Sequence, residues 1–115
     1  MNNIGKFCSV YGITIRNKIL EYLLENQDLD FAVGDIAKEL NISRPKAYEI
    51  INNFLKNNLI IKSRIIGKTQ LYLLNKKDAK VKLFLKDFKE CLRIVANENF
   101  SNFKPKKAIK IAQRI

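Results

Sequence analysis

Histidine is absent from the chain, and its two cysteines, Cys8 and Cys91, lie 83 positions apart with neither in a Cys-x-x-Cys pair. That removes the usual proton shuttle, the usual triad base and the spacing of a zinc finger or redox pair. No metal and no cofactor is expected. No acid–base pair on a defined cleft can be named, which makes an enzyme the weakest reading. The chemistry the chain does carry is cationic and amidic. Twenty-two Lys and Arg stand against eleven Asp and Glu in 115 residues, a formal charge of +11. Such an excess favours a polyanionic partner, nucleic acid before membrane.

Two clusters concentrate that chemistry. In Ser43-Arg44-Pro45-Lys46 the serine is a good helix N-cap and the proline tolerates the first turn, where its missing amide hydrogen does no harm. A helix starting there buries Ala47, Ile51 and Phe54. At 100° per residue its opposite face holds Pro45, Lys46, Glu49, Asn52, Asn53 and Lys56. Arg44 and Lys46 can bond guanine O6 and N7 or a phosphate. Asn52 and Asn53 can read adenine, and Glu49 can accept from cytosine N4. Ser43 and the helix start can hold a phosphate through backbone amides. Tyr48, at the edge of the core, can reach sugar-phosphate with its hydroxyl. The second cluster, Lys62, Arg64, Lys68, Thr69 and Gln70, surrounds a turn at Gly67. Narrow A·T-rich minor grooves attract such cations. The tripeptide Gly67-Lys68-Thr69 looks like the end of a phosphate-binding loop. That loop needs a glycine five residues earlier, where Lys62 stands, and it opens a helix rather than joining two strands.

The elements that must position these residues are legible as patterns. Residues 1–12 read as a short helix or ordered arm. Thr14 caps a helix to about Gln27, with Ile15, Ile19, Tyr22 and Leu23 on one face. Phe31 and Ala32 form a very short strand, and a second helix runs from about Gly34 to Leu40. The helix from Ser43 ends at Asn57-Asn58, since Asn tolerates the left-handed conformation. Leu59–Ile65 and Gln70–Leu74 make a β-hairpin joined through Ile66-Gly67-Lys68-Thr69. A long helix spans about Asp78 to Glu98. Its stripe Val81, Leu85, Phe88, Leu92 and Val95 has heptad-like spacing and is expected to pack on the chain's own first helix and against a partner chain, the second contact making it the dimerisation surface. On that basis Phe88→Asp should give monomers. The fold class is mainly α with a small β-hairpin (α+β), divided as arm 1–12, core domain 13–76, dimerisation helix 77–98 and basic tail 99–115. The charge is segregated along it: net −5 from Glu21 to Glu39, +8 from Ser43 to Lys82, and five further cations after Asn99. No apolar run reaches the roughly 18 residues that span a bilayer. The first residues lack a signal peptide's apolar stretch, and isolated thiols fit a cytoplasmic protein.

Val33 to Asn52 holds the tightest pattern. Ile36, Leu40, Ile42, Ala47 and Ile50 are apolar where two short crossing helices bury them. Ala37 is small enough for close approach, and Asn41 stands where the turn requires φ > 0. The segments FAVGDIAKELNISRPKAYEIINNFLKNNLI and IKSRIIGKTQLYLLN resemble the winged helix-turn-helix transcriptional regulators of bacteria and archaea, over about Thr14 to Glu98. The broad class looks like the arsenical-repressor and multiple-antibiotic-repressor groups. The resemblance implies a recognition helix from Ser43, a two-stranded wing, and a homodimer on palindromic double-stranded DNA. The cysteine-rich metal site of arsenical repressors is missing. Ala32 replaces the Ser or Thr that caps the second helix in many relatives. The competing readings are a winged-helix protein–protein module and RNA binding by the basic hairpin and tail. Operator and effector are not specified by the sequence.

Overall fold

The structure is a computed structural model and describes residues 6–101; the expected basic tail, apart from its first residues, lies outside them. Five helices and one hairpin follow in order: α1 Lys6–Tyr11, α2 Ile15–Glu25, α3 Val33–Glu39, α4 Arg44–Lys56, β1 Ile60–Ile66, β2 Thr69–Leu74 and α5 Ala79–Ser101. This is the mainly helical, winged arrangement expected from the sequence.

Local chemistry sets most boundaries. Gly12 turns the chain after α1 at φ +107°. Thr14 then caps α2, its hydroxyl accepting from the Asn17 amide at 3.0 Å. The α2 helix stops at Glu25, two residues before the expected Gln27; at its end the Asn26 backbone amide and side chain both donate to the Tyr22 carbonyl, at 3.1 and 2.9 Å. Ala32 gives α3 no side-chain cap, as the sequence implied. Ser43 caps α4 by accepting from the Lys46 amide.

The ends of α3 and α4 share one solution. At Asn41 (φ +56°) the Ile42 amide returns to the Ala37 carbonyl and the Asn41 amide to Lys38. At Asn58 (φ +65°) the Leu59 amide returns to Phe54 and the Asn58 amide to Leu55. Both are left-handed caps that satisfy orphan carbonyls, with asparagine doing what glycine usually does.

The hairpin pairs Ile60 with Leu74 and Ile66 with Thr69, so its turn is only Gly67-Lys68, tighter than the four-residue joint expected. Gly67 sits at φ +63°, which a two-residue turn of this kind requires. One extra residue on β1 between Lys62 and Ile65 makes a bulge. The short strand expected at Phe31-Ala32 is a single bridge: Phe31 and Tyr72 exchange both backbone hydrogen bonds at 2.8 Å. That bridge ties the wing to the loop before α3.

One buried cluster runs from Phe7 through Ile19, Ile36, Ile51 and Phe54 to Val81, Phe88 and Cys91. The described part of the amino-terminal arm therefore joins the core, with α1 packed on both α2 and α5. Tyr11 donates to Asp87 Oδ2 at 2.9 Å, and the Cys8 amide donates to the buried Glu21 at 3.1 Å. Burial, then hydrogen bonding to Glu21, pushes the Cys8 thiol up to about 12. Burial raises Cys91 as well. No helix among the described residues is long and apolar enough to cross a membrane.

Candidate nucleic-acid interface

The amphipathic pattern of α4 decides which side chains face outward. Ala47, Ile50, Ile51 and Phe54 are buried, and Ser43, Arg44, Pro45, Lys46, Tyr48, Glu49, Asn52, Asn53 and Lys56 are all exposed. Tyr48 stands clear of the core edge where the sequence pattern had put it, its ring close to half exposed. The outward side of α4 is thus a continuous polar strip, basic at its start and end and amidic between. Lys46 reaches Glu49 at 3.6 Å across one turn. An exposed pair of this kind is worth little, so either partner is free to exchange for a better one. The Arg44 guanidinium lies back over α3, where a Cβ on Gly34 would stand 3.2 Å from Nη2. Glycine at 34 is what leaves it room.

Arg16, on the first turn of α2, joins this strip. Its Nη1 donates to Asn53 Oδ1 at 2.8 Å, and its guanidinium carbon lies 4.7 Å from the centre of the Phe54 ring. Between α2 and α4 runs a shallow open groove whose walls include Thr14, Arg16, Lys46, Asn52 and Lys56. Sequence reasoning missed Arg16, which lies 37 positions from its partner. One signal was present: a cation in a first turn opposes the helix dipole, so its place calls for some other partner. With its oxygen engaged by Arg16, Asn53 presents only its amide hydrogens outward. Of the two asparagines, only Asn52 has a side-chain oxygen that accepts no hydrogen bond among the described residues.

The wing divides its residues differently from expectation. Lys62, Lys68 and Thr69 are exposed. Arg64 is not a free cation: its Nε donates to Asp30 Oδ2 at 2.8 Å, and Ser63 donates to the same oxygen at 2.8 Å. Gln70 turns back on the strands, donating to the carbonyls of Leu71 at 2.7 Å and Arg64 at 3.2 Å. Lys76 pairs in the same way with Asp28. The acidic and basic segments separated in sequence thus partly neutralise each other across the fold, while Lys56 on α4 and Lys62 and Lys68 on the wing stay exposed.

Hydrogen bonds from Arg64 and Ser63 hold the Asp30 carboxyl below its usual range. A carboxylate depressed on folding adds stability that is complete above the unfolded value near 3.9 and lost as pH falls through the lower, folded value. The wing is accordingly expected to be pinned at neutral pH and released only in acid. Asp30→Asn should reproduce that release at pH 7, speeding amide hydrogen exchange in residues 60–74 while α2 and α4 stay protected. Unchanged exchange in the hairpin would refute the pinning.

The stripe on α5 is split. Val81 is fully buried and Phe88 is 9% exposed, both within the chain's own core, and Leu85 and Val95 are half-buried. Leu92 is 38% exposed, with Leu83 and Ile94 also open. Phe88→Asp would therefore put a charge into this chain's own core, beside Asp87, and its result would report folding before association.

A two-helix turn, a capped recognition-type helix and a pinned two-stranded wing define the winged helix-turn-helix fold. No family model and no curated protein matches the chain. Solved structures do. A ZitR double mutant from Lactococcus lactis is 22% identical, with 98% of this chain and 77% of that one covered at a TM-score of 0.58. An S. aureus MepR mutant bound to an oligodeoxyribonucleotide is 16% identical, covering 95% and 79% at 0.60. The transcriptional regulator HlyU from Vibrio vulnificus is 19% identical, covering 64% and 73% at 0.52. At these identities the likeness establishes the shared fold.

Proposed function

We propose that this chain is a sequence-specific, double-stranded-DNA-binding transcription regulator that acts as a homodimer without catalysis. In this reading α4 enters the major groove, and the wing lies on the flanking groove or backbone. The observation that carries it is the outward face of α4. Arg44, Lys46, Asn52 and Lys56 are exposed there, Arg16 stands alongside, and no element among the described residues covers them. An α-helix with basic and amide side chains on its free face matches the donors and acceptors of the major groove. The fold shared with the transcriptional regulator HlyU and with a MepR mutant bound to an oligodeoxyribonucleotide supports the same reading. A protein-docking module would offer an apolar or acidic face on α4, which is not what it presents. The dimer draws support from Leu83, Leu92 and Ile94, left open along α5.

Titration of random-sequence duplex DNA at low salt, followed by selection of the bound fragments, tests the assignment. Binding with a recovered consensus is expected, and no binding at low salt ends it. Sedimentation tests the dimer: Leu92→Glu should halve the mass with the melting temperature retained, and an unchanged mass removes α5 from the interface.

A further inference from the structure

The wing carries a feature that phosphate contacts do not need. Along β1 only Ile60 is buried; Ile61 is exposed, Ile65 is 65% exposed and Ile66 is 55% exposed. Neighbouring strand residues point to opposite faces, so Ile65 and Ile66 make both faces of the hairpin tip apolar. A hairpin that served only to solvate the fold would be apolar inward and polar outward. Nothing among the described residues packs over these side chains. The tip is narrow, since its turn is just Gly67-Lys68. It is also held: the bulge places Ser63 and Arg64 where both bond Asp30, which fixes the blade's base, and Phe31 pairs with Tyr72 on β2. Residues 60–74 contain no acid, and Lys62 and Lys68 flank the isoleucines.

We propose that the wing tip is an apolar wedge: Ile65 and Ile66 enter the minor groove beside the site read by α4, with Lys62 and Lys68 on the bordering phosphates, and kink the duplex there. This rests on the DNA-binding reading and adds to it a mode of recognition. Apolar side chains inserted at a base step unstack it, and the step that yields most easily is a flexible pyrimidine–purine step such as TA or CA. The occupant follows from charge and continuity. An apolar edge flanked by cations with no acid suits an anionic partner with apolar walls, and β1 follows α4 directly through Asn57-Asn58-Leu59, so the wing is joined to the helix assigned to the major groove.

The test is energy transfer between dyes at the two ends of a selected duplex of about 30 base pairs, with the full chain added. The wild-type chain is expected to bring the ends together, with a bend of roughly 20–90°. The double change Ile65→Ser with Ile66→Ser should abolish the bend and weaken binding about tenfold or more, from the apolar area no longer buried. The salt dependence should not move, since no charge is removed. Both side chains are exposed, so the melting temperature should hold, and Ile65→Ala alone should give an intermediate bend. A double variant that binds and bends as the wild type overturns the wedge and leaves the α4 reading intact, as does wild-type binding without any bend. Wild-type binding to anionic lipid vesicles that the double change abolishes, with DNA binding untouched, also overturns it. Failure of the wild-type chain to bind any duplex removes both.

Discussion

Raising salt from 50 to 200 mM is expected to weaken duplex binding by about 10³–10⁵, the loss for some six to ten neutralised phosphates. The exposed cations on the proposed contact surface are Arg16, Arg44, Lys46 and Lys56 around α4 and Lys62 and Lys68 on the wing. Two copies on a palindrome double that set, so the range is reachable without every cation engaged. Arg64 is left out because Asp30 holds it. Two single changes separate the roles. Arg44→Ala should cost about 1–3 kcal/mol on the preferred sequence and little on others, if the guanidinium leaves Gly34 to reach a base edge. Lys68→Ala should weaken all sequences alike and lower the salt slope by about one. An affinity that changes less than about tenfold over that salt range would contradict a binding mode built on phosphate neutralisation.

The largest effect on stability is expected from Phe54→Ala. Phe54 has no exposed surface and sits where α2, α4 and the turn into β1 meet, with its backbone carbonyl accepting the Leu59 amide. Removing a buried phenyl ring costs about 3–5 kcal/mol, through lost burial and the cavity left behind. Against a total of about 5–15 kcal/mol that is a large fraction, and the melting temperature should fall by at least about 10 °C. The same change removes the ring under the Arg16 guanidinium. Phe54→Leu keeps much of the volume, so it should fold and melt closer to the wild type while still removing the ring beneath Arg16. Calorimetry of both variants checks this, and an alanine variant melting within about 2 °C of the wild type would show that the helices repack without the ring.

Much of this arrangement was legible because it is written locally. Ser43 and Thr14 announce helix starts, Asn41 and Asn58 announce left-handed ends, and the apolar positions from Ile36 to Ile50 fix which faces of α3 and α4 meet. Gly67 marks the turn. What escaped depends on residues far apart in the chain. The Arg64–Asp30 and Arg16–Asn53 contacts join positions 34 and 37 apart, and no motif links them. Segment charges count Arg64 and Lys76 as free, although both meet acids from the α2–α3 loop. The heptad-like spacing of α5 correctly marks an apolar face. Spacing does not say which partner covers it, and the six-residue α1 helps cover part of what was expected to serve another copy.

The two thiols have a practical consequence. With Cys8 buried against Glu21 and raised to about 12, and Cys91 buried and raised as well, neither offers a thiolate near neutral pH. Maleimide dyes and spin labels should therefore pass over the native cysteines. A single cysteine introduced at Thr69 then becomes the selective attachment point, and a probe there can follow the wing in real time on an otherwise unaltered chain.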